Sequence, residues 1–160
     1  MNKYLAGAAA GAVATIFHTA VMWALHPRLS RARQRPLPPV EITSKTARRA
    51  HLQGAQARPG LVAATSVAHV GFGALAGTLY PPLADRARFP PAALGVVFGV
   101  GVWAASYLGW IPALRLLPPA TRQPAQRNIM MILAHVAWGA ALGLSYDALG
   151  KQNRGPAKRA

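Results

Sequence analysis

The sequence predicts an all-α polytopic membrane protein, with four transmembrane helices arranged as two parallel-related helical hairpin repeats. Three observations predict it. The 160-residue chain is 52% hydrophobic but only 13% charged, with three acids, Glu41, Asp85 and Asp147. A soluble domain usually has about a quarter of its residues charged. Four runs are long and apolar enough to cross a bilayer, which takes about 20 mostly apolar residues. The third observation is one pattern, His-x-x-x-Gly-x-x-x-Gly-x-x-Tyr, written twice. It appears as "AHVGFGALAGTLY" over Ala68–Tyr80 and as "AHVAWGAALGLSY" over Ala134–Tyr146.

The four spans are Leu5–Leu25, Leu61–Tyr80, Ala92–Ile111 and Ile129–Leu149. None contains Lys or Arg, and Asp147 lies at a terminus. Pro27, Pro59, Pro81 and Pro112 punctuate the ends, where a missing N–H is tolerated. Span one also has a rival reading as a signal peptide. Its apolar run is longer than a usual h-region and ends in Trp23, His26 and Pro27 without a small-x-small site, so a retained anchor is expected. Residues 1–150 read as a single transmembrane domain and residues 151–160 as a disordered basic tail.

Between spans one and two lies a long basic loop, residues 26–60, carrying Arg28, Arg31, Arg33, Arg35, Lys45, Arg48, Arg49 and Arg58. Helix-forming content from about Thr43 to Gln56 points to an interfacial helix there, with a solvated loop as the alternative. The second loop sets Arg86 and Arg88 against Asp85. The third carries Arg115, Arg122 and Arg127. Loops one and three hold most of the Lys and Arg, which places them on the cytoplasmic side and both termini outside.

The net charge of +15 raises the question of nucleic acid. The cations lie between and beyond the apolar runs, where they suit anionic lipid headgroups instead. The expected partner is therefore a bilayer with anionic headgroups, met by Arg28, Arg31, Arg33, Arg35, Arg48 and Arg49, and no nucleic acid. The chain has no Cys. Disulfides, thiolate metal sites, Cys nucleophiles and covalent c-type haem are excluded.

The repeat extends beyond the quoted motif. "RPLPP" (Arg35–Pro39) precedes span two and "RLLPP" (Arg115–Pro119) precedes span four. Spans two and four must cross in the same direction, so the halves are related by a pseudo-twofold axis along the membrane normal. Every span contains Gly-x-x-x-Gly: Gly7/Gly11, Gly73/Gly77, Gly95/Gly99 and Gly139/Gly143. Such glycines share one helix face and let another backbone approach closely, which drives association in lipid. Four copies predict a tight four-helix bundle. Some of these faces also suit a homodimer or a larger membrane complex.

Positions i, i+4, i+8 and i+11 fall on one helix face. His69 and Tyr80 thus share a stripe with Gly73 and Gly77, and His135 and Tyr146 share its twin with Gly139 and Gly143. Both histidines should face protein, and both tyrosines should lie near a membrane interface. His18 adds a third imidazole in span one. An ionisable residue inside a membrane is a functional-site hypothesis by default.

Three readings of the histidines compete. In the structural one, neutral imidazoles hydrogen-bond across helices, to a hydroxyl such as Thr15, Thr19, Thr65, Ser66 or Ser106, or to a carbonyl. In the cofactor one, His69 and His135 give two axial nitrogens to haem b, or join His18 around a metal. In the third, the imidazoles and tyrosines line a proton or solute path. The structural reading is preferred, because repeats duplicate structural glue as readily as function. No cofactor and no dedicated metal site are expected. Nor is an enzyme, since the acids form no pair and no HExxH, P-loop or GxSxG occurs.

The expected function is that of a non-enzymatic integral membrane protein, a structural or accessory subunit packed through its Gly-x-x-x-Gly faces. The alternative is a small transporter, proton path or haem- or metal-binding protein using His69 and His135. The "AHVGFGALAG" and "AHVAWGAALG" segments, with the "LPP" loops, resemble the YagU-like group of small uncharacterised bacterial inner-membrane proteins. The likeness covers mainly spans two and four. It implies a multi-pass protein of the bacterial inner (cytoplasmic) membrane, with a suggested connection to acid stress. It assigns no functional residue here.

Overall fold

The computed structural model describes residues 2–29, 35–52 and 58–153, and within them most of the chain is helical, joined by short turns. Helix α1 runs over Lys3–Leu25, with the Asn2 side chain accepting the Tyr4 N–H at its start. A 3₁₀ turn at His26–Arg28 holds Pro27, which supplies no N–H to continue the helix. Helix α2 then spans Pro38–Arg49. Its two prolines occupy the first turn, where an N–H has no intrahelical partner anyway. Glu41 lies in that first turn and Arg48 and Arg49 in the last, matching the helix dipole. The helix closes on His51 in the left-handed region, with the Leu52 N–H returning to the Ala47 carbonyl.

Helix α3 covers Arg58–Gly77, and the short α4 covers Pro81–Ala84. Helix α5 covers Pro91–Ala104 and continues through a π-helical turn, Ala105–Trp110, into α6 at Ile111–Ala113. Gly109 leaves helical geometry inside that turn, at φ −109 and ψ −106. After a 3₁₀ turn at Ala120–Arg122, helix α7 runs over Ala125–Asn153. Four of these stretches are long and apolar enough to cross a membrane: Lys3–Arg28, Pro59–Ala84, Pro91–Ala113 and Ala125–Lys151. That fits a multi-pass membrane protein.

Several elements differ from the sequence reading. Helix α2 starts at Pro38 instead of Thr43, because the prolines open the helix rather than precede it. It ends at Arg49, and the expected stretch to Gln56 runs into residues 53–57, outside the described residues. The third span is interrupted by the π turn. Helix α7 continues through Asn153, so residues 151–153, expected in the tail, are helical. The remainder of the tail lies outside the described residues.

Helix α3 packs on α1, α1 on α7, and α7 on α5. Helices α1 and α7 form the middle of this row and are the more buried pair. Their contacts rest on glycine. A Cβ at Gly11 would overlap the Gly73 carbonyl oxygen, and one at Gly7 that of Gly77. On the other side of the row, a Cβ at Gly95 would overlap the Gly139 carbonyl and one at Gly99 that of His135. A Cβ at Gly143 would overlap the Pro91 carbonyl oxygen.

Two buried clusters fill the ends. Met22, Tyr107, Ile111, Met130 and Met131 pack at the end that carries α2. Ala10, Tyr80, Leu94, Trp138 and Leu142 pack at the end that carries the termini.

Candidate functional site

The polar centre of the bundle is made of three imidazoles from three helices. His18 on α1 packs edge-on against His69 of α3, with ring centroids 5.0 Å apart. It packs edge-on against His135 of α7 as well, at 4.6 Å. Both His18 and His135 are buried, whereas His69 is half-buried. His18 Nε2 lies 3.2 Å from His135 Nδ1, and that same Nδ1 lies 2.8 Å from the Met131 carbonyl oxygen. His69 Nδ1 lies 3.4 Å from Thr19 Oγ1.

These contacts assign the protons. A carbonyl oxygen only accepts, so His135 Nδ1 carries the hydrogen and donates it to Met131. His18 Nε2 faces that same N–H and is therefore the accepting nitrogen. A neutral His18 then carries its own hydrogen on Nδ1. That Nδ1 is buried and has no hydrogen-bond partner.

The imidazoles line a cavity of about 390 Å³. All four spans contribute to its wall: Thr15 and His18 from α1, His69 and Phe72 from α3, Val102 from α5, and Met131 and His135 from α7. The π turn adds Ser106, Tyr107 and Trp110. Trp110 Nε1 donates to Ser106 Oγ at 3.2 Å, and the Phe72 and Trp110 rings, both exposed on their outer sides, meet at 5.7 Å between α3 and the turn.

Helix α2 roofs the cavity. Pro39, Ile42, Thr43 and Thr46 line it, at the 3–4 residue spacing of one helix face. Three cations fasten the roof. Lys45 Nζ donates to the Leu116 carbonyl at 2.7 Å. Arg49 donates to the Leu114 and Arg115 carbonyls at 2.7 and 3.2 Å. Arg127, at the start of α7, donates to Glu41 Oε2 at 2.8 Å and to the Pro36 carbonyl at 3.1 Å. Arg127 is only 3% exposed. Its remaining Nη1 is buried without a partner.

Toward the termini the cavity is shut. Trp138 Nε1 donates to the Gly11 carbonyl at 3.2 Å. Phe98 stacks on Trp138, and Tyr80 meets both Phe98 and Tyr146 edge-on. The cavity thus lies beneath α2, ends at this aromatic stack and is open at its side, where exposed Ala68, Phe72, Trp110 and Leu114 line it.

Of the residues singled out from the sequence, His18, His69 and His135 come together. Tyr80 and Tyr146 pair with each other at the opposite end, 5.5 Å apart. Tyr80 is buried, and its hydroxyl donates to the Pro91 carbonyl at 3.3 Å. Among the candidate hydroxyls, Thr19 meets His69, while Thr15 donates to its own helix at Gly11. His69 and His135 each pack edge-on against the His18 ring. Among the described residues, no group of three or more His, Asp or Glu side chains is arranged to hold a metal ion.

Of the six headgroup arginines, Arg28 donates to the Ala24 carbonyl, Arg48 to Ser44 and Arg49 to the loop after α6. Arg35 is exposed and its carbonyl accepts from His26 Nε2 at 2.8 Å. Arg31 and Arg33 lie outside the described residues. Sequence reasoning named Ser106 as a candidate hydroxyl but missed Tyr107, Trp110 and Trp138 as chamber wall, and the role of Arg127. The one available signal was Glu41, a rare acid in a strongly basic loop.

The family model described as "Protein of unknown function (DUF1440)" matches residues 42–144, from the middle of α2 to within the glycine face of α7. No curated protein and no solved structure matches the chain. The match takes in the chamber's α3, α5 and α7 walls together with most of its roof, and the chain belongs to the DUF1440 family.

Proposed function

We propose that this is a non-enzymatic protein of the bacterial inner membrane that holds a small, bilayer-soluble molecule in the chamber beneath α2. The observation that carries the reading is the chamber itself: about 390 Å³ of mostly apolar wall with imidazoles at its polar centre. Ligand pockets typically combine an apolar lining with a few placed polar groups, at volumes of roughly 300–1,000 Å³. The aromatic stack at the far end makes the chamber a binding site rather than a through-channel.

The bundle around it is packed through the Gly-x-x-x-Gly faces as two hairpin repeats, α1 with α3 and α5 with α7. The overlaps that a Cβ would create at Gly7, Gly11, Gly95 and Gly139 support this. The α2 end carries Arg28, Arg35, Lys45, Arg48, Arg115 and Arg122 and faces the cytoplasm and its anionic headgroups.

A second reading is purely structural, with the imidazoles serving as interhelical glue. The His18–His135 contact favours it.

The chain's lack of Cys makes a direct test simple. Ser106 is 3% exposed yet lines the chamber. In intact membranes, Ser106→Cys should react with N-ethylmaleimide, and Ala68→Phe at the chamber edge should slow that reaction severalfold. An unreactive Ser106→Cys, or one indifferent to Ala68→Phe, would leave the structural reading.

A further inference from the structure

Two side chains that carry hydrogen-bond donors line the chamber on different walls. On α1, His18 is 5% exposed, and its Nδ1, which carries the hydrogen by the tautomer argument above, has no partner. On the π turn, Ser106 Oγ accepts the Trp110 indole N–H and keeps its own hydroxyl hydrogen to donate. A buried donor left unpaired is costly, and water or a ligand acceptor relieves that cost. Around the two donors the wall is aromatic and flat-sided, with Phe72, Tyr107, Trp110 and Trp138. Flat rings are held by such walls through offset or edge-on contact.

We propose that the chamber binds a quinone: a flat ring carrying two carbonyl oxygens, with an apolar substituent. This rests on the chamber-binding reading above and adds the ligand's chemistry to it. One carbonyl oxygen accepts from His18 Nδ1, which the ring presents by turning about its Cβ–Cγ bond and giving up its contact with His135, whose N–H stays on the Met131 carbonyl. The other accepts from the Ser106 hydroxyl. Carbonyl oxygens only accept, which matches two donors without adding an unpaired hydrogen. The apolar substituent lies along Ile42, Val102 and Ile111 or leaves the chamber past Phe72 and Trp110. No redox step is part of the proposal.

The test uses the full chain in mild detergent with two probes of similar body, 2-decyl-1,4-benzoquinone and decylbenzene. Binding is read as a saturable rise in unfolding temperature for both, and as quenching of tryptophan emission for the quinone. The expected result is a quinone affinity at least tenfold above that of decylbenzene. His18→Asn keeps a donor at the Nδ1 position and should retain that preference. His18→Phe should reduce it about tenfold, and Ser106→Ala, which leaves the histidine cluster intact, should reduce it severalfold. Ala68→Phe should weaken both probes. Equal binding of the two probes, both weakened by Ala68→Phe, would overturn the quinone while leaving the chamber reading in place. Saturable binding of neither would overturn both. If His18→Phe does not fold, the probe comparison in the unchanged chain and in Ser106→Ala decides the matter alone.

Discussion

His18 Nε2 and His135 Nδ1 lie 3.2 Å apart although 117 positions separate them in the chain. This contact joins the two middle helices of the row, α1 and α7, at the wall of the chamber. A single N–H of His135 is shared there between the Met131 carbonyl and His18. Substituting His135 by Ala leaves His18 Nε2 without its donor and opens a void in a buried place. His135→Ala should destabilise the protein by about 1–3 kcal/mol. His69 is half-buried and its contact with Thr19 is long, so His69→Ala should cost under about 1 kcal/mol, near the average for interhelical hydrogen bonds in membranes. Unfolding in detergent, followed by helical circular dichroism, ranks the two. The reverse order would mean that His69 is the principal strut.

The glycines separate into two classes with opposite expected signs. Gly11→Ala and Gly139→Ala place a methyl group against a neighbouring carbonyl oxygen that cannot move without its helix. Each should cost about 1–3 kcal/mol, the usual range for overpacking. Gly71 and Gly101 have nothing within 4 Å of a Cβ. Gly71→Ala and Gly101→Ala should be neutral or stabilising by up to about 1 kcal/mol, from helix propensity. Unfolding temperatures of the four variants test this. A uniform response would show that the close approaches do not hold the bundle.

The Arg127–Glu41 pair should respond unequally to loss of either partner. Arg127 is 3% exposed and Glu41 about a fifth exposed. Glu41→Gln strands a guanidinium away from water and should cost about 1–3 kcal/mol, below the full penalty of a wholly buried pair because water reaches the glutamate. Arg127→Met leaves only a partly solvated carboxylate and should cost less. Thermal unfolding of both single variants and the double variant gives the coupling. Equal single effects would contradict the burial asymmetry.

Detaching the roof should open the chamber further. Lys45→Met with Arg49→Met removes three hydrogen bonds to the loop after α6. Cysteine introduced at Thr43, which lines the chamber from α2, should then react severalfold faster with a water-soluble maleimide than in the otherwise unchanged chain. An unaltered rate would show that the apolar face of α2 holds it in place without the cations.

The four spans were legible because their hydropathy is high over a length that only a bilayer crossing explains. The same all-round hydrophobicity hid what happens inside them. The third span has no apolar period to break, so the π turn at Ala105–Trp110 and the departure at Gly109 left no trace in the pattern. The histidine stripes were legible as faces, since i, i+4 spacing fixes a side of a helix. The meeting of His18 with both was not, because register between helices is set by the glycine contacts in three dimensions. Arg127 read as one more loop cation. Only its placement opposite Glu41, 86 positions away, reveals it as buried. Prolines misled in one place: Pro38 and Pro39 look like loop residues, yet they start α2.

The fastening of α2 also bears on how the molecule is made. The roof emerges early, just after the first span, but every group that pins it comes later: the carbonyls of Leu114, Arg115 and Leu116, and the guanidinium of Arg127. A chain that leaves the ribosome N-terminus first therefore carries an unattached, amphipathic α2 through most of its synthesis. The roof gains its last fastening, Arg127, only when the last helix packs between α1 and α5. Packing of the last helix and completion of the chamber wall are one event, so a nascent or truncated chain without α7 leaves His18 and His69 open to the bilayer and the insertion machinery.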